Sequence, residues 1–208
     1  MANTESMADN PTKENILISS FRVFLEKGYE KASMNELVRA SKVSKGAFYH
    51  YFKSKEELFD ATIEKYFFEI ASPVVVFEPS ADKTFLENVQ FYITRKNEEV
   101  MKVMQKLEVA FTVNYMNIIL EAMKLFEHHK KRSLKLLDAE LEIYQKIIET
   151  AQQKGKVRTD VDANLLAKHF YFLLDGFKFH VLILTDWNTE KYTEVNELIE
   201  QFYQLIKV

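Results

Sequence analysis

Apolar side chains recur every three or four residues along most of the chain, which is the spacing of helices that bury one face. The first such segment spans residues 12–27, and its apolar stripe is formed by Leu17, Phe21, Phe24 and Leu25. Serines that can cap helices predict two short helices after it, following Ser33 and Ser44, and a longer fourth helix that follows Ser54 and ends by Pro73. Glu36 stands three residues after Ser33, which is the spacing of a capping box.

Helical periodicity continues to the C-terminus. The further predicted segments are a fifth helix beginning at Asp82 or Thr84, residues 98–131, residues 133–153, a long helix from Asp162 to Leu184, and a last helix carrying Val195 to Ile206. The apolar run at residues 74–77 lies between prolines and has no second strand to pair with, so we expect coil there. The pattern predicts an all-α protein of about nine helices.

Composition supports this fold class and removes several others. The chain has only four glycines and three prolines among 208 residues, too few for the tight turns of a β-sandwich or barrel. It contains no glycine-rich phosphate-binding motif. It also has no cysteine, which excludes disulfide scaffolds and cysteine-based zinc sites. The polar start does not resemble a signal peptide, so we expect a disordered tail over residues 1–10 and a cytoplasmic protein.

The predicted helix from Asp162 to Leu184 is apolar on nearly every side. Such a helix has to be buried on both sides, either at the centre of a monomeric bundle or against a second copy of the chain. We favour the homodimer, in which this helix and the last one form a four-helix interface by twofold symmetry. The expected interface residues are Leu166, Phe170, Leu173, Phe177, Val181, Leu198 and Phe202.

The formal net charge of −3 is unevenly distributed. Residues 31–55 contain six basic side chains and one acidic side chain, Glu36, which gives this segment a charge of +5. Two short predicted helices and the turn at residues 41–43 fall inside it, with Phe48 and Phe52 as expected core contacts. This is the pattern of a helix-turn-helix, whose second helix enters the major groove of DNA. A local basic patch attracts the phosphate backbone even when the total charge is negative.

The same segment resembles the DNA-binding domain of the TetR family of transcriptional regulators. The matching residues are Gly28-Tyr29, Ser33-Met34, Leu37, Val43-Ser44-Lys45-Gly46-Ala47-Phe48-Tyr49-His50-Tyr51-Phe52 and Ser54-Lys55-Glu56-Glu57-Leu58. The part from Phe48 to Leu58 is the most specific, because it combines aromatic spacing with the cap and the lysine of the next helix. The chain departs from the family at Lys42, where glycine is common. We therefore expect Lys42 to take the left-handed conformation at a small cost in stability.

The resemblance implies a set of DNA contacts. Lys45 is expected to donate to guanine and Ala47 to contact a thymine methyl group. Ser33, Tyr51 and Lys55 are expected to bind phosphates, Lys55 at a helix N-terminus. The complete implied set is Ser33, Ser44, Lys45, Gly46, Ala47, Tyr49, His50, Tyr51 and Lys55. Plain packing is the alternative role for Tyr49 and Tyr51.

The resemblance also implies the domain layout and the mechanism. We expect an N-terminal three-helix helix-turn-helix domain over residues 11–57, with the motif at about 33–52, and a larger C-terminal helical ligand-binding and dimerisation domain over residues 58–208. The implied protein is a homodimeric repressor that a small apolar effector releases from a palindromic double-stranded DNA operator. The alternative is a helical small-molecule-binding protein whose helix-turn-helix no longer binds DNA.

Aromatic and methionine side chains in the middle helices suit an apolar ligand. The predicted pocket residues are Tyr92, Met104, Phe111, Tyr115 and Phe126. Ordinary core packing is the alternative role for each of them.

No cofactor, metal or catalytic site is expected, because the sequence contains no Ser/His/Asp elbow, no HExxH motif and no paired catalytic carboxylates. The basic run at residues 128–132 is expected to be a solvated helix end where cations are favoured, with a second nucleic-acid patch as the alternative. His128 and His129 are adjacent, so on a helix they would point in different directions and make a poor metal pair.

Overall fold

Nine helical segments follow one another in a computed structural model that describes residues 10–74, 76–108, 113–184 and 189–208. They are α1 (Pro11–Lys31), α2 (Met34–Ser41), α3 (Lys45–Tyr51), α4 (Lys55–Ile63, continuing through a π-helical turn at Glu64–Phe68 into Glu69–Val74), α5 (Phe85–Leu107), α6 (Val113–Leu125), α7 (Glu127–Gln153), α8 (Ala163–Leu184) and α9 (Thr189–Ile206). Within the described ranges, β-structure is limited to an isolated bridge between Val157 and Lys207. The predicted all-α class is confirmed.

Local capping signals account for the short helices after α1. The Ser33 hydroxyl accepts a hydrogen bond from the Glu36 N–H at 3.3 Å, and the Glu36 carboxylate accepts one from the Ser33 N–H at 3.1 Å. Ser44 and Ser54 cap α3 and α4 in the same way, by accepting from the N–H three residues on at 3.2 and 3.0 Å. Gly28, the predicted end of α1, is a non-helical residue within it, with a φ of 76°.

The predicted tail over residues 1–10 lies outside the described residues except for Asn10. The Asn10 side chain accepts hydrogen bonds from the Thr12 and Lys13 N–H groups and so caps α1. Of the coil expected at residues 74–77, Val76 and Phe77 are in coil, which spans residues 76–80. The prediction is wrong for Val74, which is still helical, and residue 75 lies outside the described residues.

The middle of the chain is divided differently from the prediction. α5 is continuous from Phe85 to Leu107, and the segment predicted at residues 98–131 is shared among α5, α6 and the start of α7. The predicted start at residue 133 is wrong, because α7 is already helical from Glu127. Apolar periodicity continues across these breaks and cannot mark them. The end of α5 is marked instead by Glu108, which takes a φ of 53°.

Contacts divide the chain into two units. The first unit comprises Met1–Ile70 and Val103–Lys130, and the second comprises Ala71–Lys102 and Lys131–Val208. The functional boundary expected between residues 57 and 58 stays a prediction.

In the first unit, α1 packs against α2, α4 and α6. Phe24 of α1 and Phe59 of α4 meet edge to face with their ring centres 4.8 Å apart. Phe48 and Phe52 are buried, as predicted for the core of a helix-turn-helix. Phe48 packs into the core on one side of α3, so the opposite side of α3 faces solvent.

In the second unit, the core is formed around Phe170 of α8, which is fully buried. Its ring centre lies 5.1 Å from that of Tyr144 and 4.8 Å from that of Phe202, so aromatic pairs join α7, α8 and α9. Among the described helices, none combines the length and the hydropathy needed to cross a bilayer.

Candidate nucleic-acid interface

The turn between α2 and α3 depends on a left-handed residue. Lys42 has a φ of 55° and a ψ of 19°, as predicted, at a cost of about 1–2 kcal/mol relative to right-handed backbone. The Asn15 side-chain amide of α1 donates to the Ser41 carbonyl oxygen at 2.7 Å. The turn is therefore tied to α1, and this contact helps to set the angle at which α3 leaves it.

The seven residues of α3 separate into an inner and an outer face. Phe48 is buried, whereas Lys45, Gly46 and His50 are exposed. The margin between the two faces is formed by the half-buried residues Ala47, Tyr49 and Tyr51. The Tyr49 ring packs edge to face on that of Phe48, with the ring centres 5.9 Å apart. The predicted contact residues of α3 therefore share an accessible side, although Tyr49 also packs.

Two predicted contact serines already have partners inside the chain. The Ser33 hydroxyl donates to the Glu36 carboxylate at 2.9 Å, in addition to its capping bond. The Ser44 hydroxyl is used to cap α3. Both residues are exposed, and each hydroxyl oxygen can still accept or share a bond with a phosphate.

The ammonium groups of Lys53 and Lys55 donate hydrogen bonds to backbone carbonyl oxygens at helix C-termini. The Lys53 ammonium donates to the carbonyl oxygens of Tyr49 and His50, which end α3. The Lys55 ammonium donates to the carbonyl oxygen of Tyr29 at 2.9 Å and lies 4.2 Å from the centre of its ring. Carbonyls in the last turn of a helix lack helical partners and attract cations. Lys55 thus joins the start of α4 to the end of α1, a role that sequence reasoning missed.

Three further cations of the motif have no acidic partner among the described residues. Arg39, Lys42 and Lys45 are exposed and form no ion pair with any residue that the structure describes. By contrast, Lys27 and Lys65 of the same unit pair with Glu36 and Glu14. Sequence reasoning counted Arg39 and Lys42 in the basic patch without naming them as contacts. Their lack of partners makes them candidates for binding phosphates.

Glu36 is the one acidic side chain in residues 31–55, and its charge is engaged locally. The hydrogen bond from Lys27, followed by those from the Ser33 N–H and hydroxyl, lowers the pKa of Glu36 to about 2. The carboxylate therefore stays ionised at neutral pH and serves the cap of α2 rather than neutralising the exposed cations.

The predicted ligand-pocket residues do not form one group in the structure. Tyr92 is buried in the core of the second unit, whereas Met104 and Tyr115 are buried in the first. The Tyr115 hydroxyl donates to a backbone carbonyl in the first unit at 3.0 Å. Phe126 is half-buried, and Phe111 lies outside the described residues. Core packing accounts for the burial of Tyr92, Met104 and Tyr115. A role of the five predicted residues in ligand binding stays a prediction.

Two surface clefts are lined by other residues. One of about 490 Å³ lies between the end of α1, at Gly28, and α6, at Glu121. Glu121 accepts a hydrogen bond from the Tyr29 N–H there at 2.9 Å. The other, of about 330 Å³, is lined in the second unit by Phe85 and Tyr203 among others.

The predicted dimer-interface residues fall on both sides of α8 and α9. Leu166, Phe170, Val181 and Phe202 are buried in the core of one chain, so they have no surface to offer a partner. Phe177 and Leu198 are half-buried against that core, and Leu173 is exposed. An all-round apolar helix has an inner and an outer face, and the sequence pattern does not distinguish them. Which of these residues contact a partner stays a prediction.

The opposite face of α8 is an exposed apolar stripe. Its members are Leu165, Phe172, Phe179 and Ile183, and the first three are spaced seven residues apart. Gly176 lies on the same stripe, with open space where a side chain would be. A seven-residue apolar repeat is the pattern by which two helices pack along one another.

His128 and His129 do not diverge as expected. They lie in the first turn of α7 rather than at a helix C-terminus. Their Nε2 atoms lie 2.8 and 2.7 Å from the same Oδ1 atom of Asp60 on α4. Adjacent side chains leave a helix about 100° apart, but two imidazole rings can still turn toward a third residue that faces the start of the helix.

Comparison with known proteins indicates the same functional segment. A family model described as bacterial regulatory proteins of the tetR family matches residues 16–62, which include all of α2 and α3. The HTH-type transcriptional repressor AcnR of Corynebacterium glutamicum is 30% identical over 202 residues, which cover 92% of this chain and 93% of that protein.

Solved structures share the whole fold. A TetR-family transcriptional regulator from Cytophaga hutchinsonii matches with a TM-score of 0.64 and 22% identity, covering 95% of each chain. Regulatory protein TetR from Rhodobacter sphaeroides matches with a TM-score of 0.60 and 20% identity, covering 95% of this chain and 100% of the other. At these identities the likeness concerns the fold.

Proposed function

The chain belongs to the tetR family of bacterial regulatory proteins and is a DNA-binding transcriptional regulator, and we propose that it represses transcription by binding a palindromic operator as a homodimer. A small apolar effector releases it from the operator, in the cytoplasm where the DNA lies. Repression is supported by AcnR, a full-length relative that is named as a repressor.

The observation that carries the proposal is the outer face of α3. Lys45 is exposed in the first turn of this helix, where recognition helices contact base edges, and an ammonium group can donate to guanine O6 and N7. Gly46, beside it, carries no side chain and has open space around it, so the backbone can approach the DNA closely. Lys45 therefore reads sequence, while Gly46 allows the close approach.

Arg39 and Lys42 supply the phosphate contacts that hold α3 in register. Both are exposed at the end of α2 and in the turn, and neither has an acidic partner among the described residues. Contacts to phosphate position a protein on DNA, whereas contacts to bases specify the site. The predicted phosphate roles of Ser33, Tyr51 and Lys55 complete this set.

The homodimer uses the exposed stripe of α8 in place of the buried residues first expected. Leu165, Phe172 and Phe179 lie on one side of the helix, and Leu205 of α9 is also exposed. Burying large apolar side chains of this kind contributes about 1.5–3 kcal/mol each when they become fully buried. Twofold pairing of this stripe gives the two reading heads that a palindromic site requires.

Footprinting of the chain's own upstream DNA tests the repressor proposal. We expect two protected half-sites related by a dyad, separated by about 34–36 Å or a multiple of that distance. A single protected half-site, or none, would contradict a dimeric operator-binding protein. The alternative, a ligand-binding protein that no longer binds DNA, is disfavoured by the unpaired cations around α3, and the absence of any footprint would favour it.

A thermal-shift screen against apolar small molecules tests the effector. A ligand that binds the native state raises its stability by mass action, by about 2.7 kcal/mol at a hundredfold excess over Kd. An effector should also weaken operator binding, and a coupling of about 1–3 kcal/mol corresponds to a 5- to 150-fold change. A ligand that stabilises the protein but leaves operator affinity unchanged is not the effector.

A further inference from the structure

A cluster of three side chains in the first unit has no part in DNA binding. Asp60 projects from α4, and His128 and His129 project from the first turn of α7. One ligand atom from each residue can be chosen so that all three lie within 4.8 Å of one another. The Nε2 atoms of the two histidines lie 2.8 and 2.7 Å from Asp60 Oδ1.

The hydrogen-bonding state of His129 sets this cluster apart from an ordinary polar contact. Its side chain is fully buried, and neither ring nitrogen has a hydrogen-bond partner in the part of the chain that the structure describes. Nε2 lies 2.7 Å from Asp60 Oδ1, but not in hydrogen-bonding geometry, and the same oxygen already pairs with His128 at 2.8 Å. Buried polar atoms without partners are rare in native proteins, and an unseen ion is one of their standard explanations.

Packing holds the His129 ring in this orientation. The ring is stacked on Phe68 at 5.0 Å, with 17° between the planes, and it meets Phe126 edge-on at 5.4 Å. A ring held in this way is already oriented for binding an ion, and histidine binds metals as the neutral imidazole.

We propose that Asp60, His128 and His129 form a binding site for a divalent transition-metal ion of the Zn²⁺ class. Two imidazoles and a carboxylate are a donor set that Zn²⁺ accepts, with bonds of about 2.0–2.2 Å and a fourth position left for water or another ligand. Tetrahedral bonds of that length put donor atoms about 3.3 Å apart. The present separations of 2.7 and 2.8 Å need to widen by only about half an ångström.

The site has an entry path and a favourable charge. His128 and Asp60 are partly exposed, so an ion can reach the donors from solvent. The negative charge of Glu64, one helical turn beyond Asp60, also acts on His129. A bound ion would bridge α4, which directly follows the helix-turn-helix, to the start of α7.

Metal titration of the untagged full-length chain tests the site without DNA, so its outcome is independent of operator binding. Zn²⁺ is titrated in competition with a chromophoric chelator, and Co²⁺ is titrated while the visible absorption of a tetrahedral ion is recorded. We expect one ion per chain. His128→Ala and Asp60→Asn should each weaken binding at least about tenfold. Both positions are partly exposed, so these variants can fold even if a change at buried His129 cannot.

His169→Ala is the matched control, since among the described residues this exposed histidine of α8 bonds only to the Leu165 carbonyl of its own helix. The control should bind Zn²⁺ and Co²⁺ like the unchanged chain. No binding of either ion by the unchanged chain, or equal binding by His128→Ala, Asp60→Asn and His169→Ala, would overturn the proposal.

Discussion

The Lys55 ammonium lies 4.2 Å from the centre of the Tyr29 ring and donates to the Tyr29 carbonyl oxygen at 2.9 Å. One side chain thus joins the first turn of α4 to the last turn of α1, across the helix-turn-helix. The same residue is the predicted phosphate contact at the N-terminus of α4. Lys55 therefore has one role that the structure shows and one that is predicted, and the two predict different changes in experiment.

Lys55→Ala should reduce both stability and DNA affinity. Removing the hydrogen bond and the packing on the Tyr29 ring is expected to lower the free energy of unfolding by about 1 kcal/mol. Without its phosphate contact, the variant should bind the operator and shuffled DNA more weakly by the same factor. Denaturant unfolding and fluorescence anisotropy measure the two effects. Lys135→Ala, which removes an equal charge from an exposed position on α7, should change neither.

Lys45→Ala should relax sequence preference. Removing the ammonium group that reads a base should cost about 1–3 kcal/mol on the operator and much less on shuffled DNA, because only the operator offers the matching guanine. Anisotropy titrations on both DNAs give the ratio of affinities. Lys42→Ala is the companion variant, and as a phosphate contact it should weaken both complexes alike. If Lys45→Ala also weakens both alike, Lys45 does not read bases.

The capping box should make stability depend on acidic pH through Glu36. Its pKa is about 2 in the folded chain, below the ordinary value of 4.5, so its contribution is complete above pH 4.5 and is lost as the pH falls toward 2. Glu36→Gln should be less stable than the unchanged chain at pH 7, and the difference should narrow as the pH falls below 4.5. Denaturant unfolding at several pH values measures this. A difference that stays constant across that range would show that the Glu36 charge is not used.

Phe172→Glu should disrupt the homodimer. Phe172 is 57% exposed in one chain and lies at the middle of the apolar stripe of α8, where a buried unpaired carboxylate would be costly. Sedimentation at micromolar concentration should then give the 24.5 kDa monomer in place of a species of twice that mass. Leu134→Glu is the control, because Leu134 is 53% exposed on a different helix and should leave the dimer intact. A dimer that survives Phe172→Glu would rule out this face.

The helix-turn-helix could be predicted in detail because its determinants are local. Ser33, Ser44 and Ser54 cap helices within three residues of themselves, and the left-handed Lys42 was expected because glycine is common at this position in the family. The basic charge of the segment was also visible in the sequence. The sequence does not show which charges have partners inside the chain. The Glu30 and Tyr29 carbonyl oxygens that accept from Lys55 lie 25 and 26 residues away and come close to it only in the fold.

Long-range relationships explain the other differences. Asp60 is 68 residues from His128, and no spacing in the sequence indicates that they meet. Phe170 and Phe172 of α8 are both apolar, and the sequence pattern does not show which of them is buried. Packing against α7 and α9 buries Phe170 and leaves Phe172 exposed. Similarly, an aromatic side chain suits a ligand pocket and a protein core equally well, and Tyr92 lies in the core.

The most direct test of sequence-specific DNA binding is the salt dependence of affinity for the chain's own upstream DNA. Arg39, Lys42 and Lys55 of two chains would neutralise about six phosphates, so the Kd should rise about a thousandfold between about 50 and 200 mM salt. Shuffled DNA should bind more weakly at each salt concentration, with a similarly steep slope. Binding that is absent, insensitive to salt, or equal for both DNAs would contradict the assignment of α3 and its surrounding cations as the DNA-reading surface.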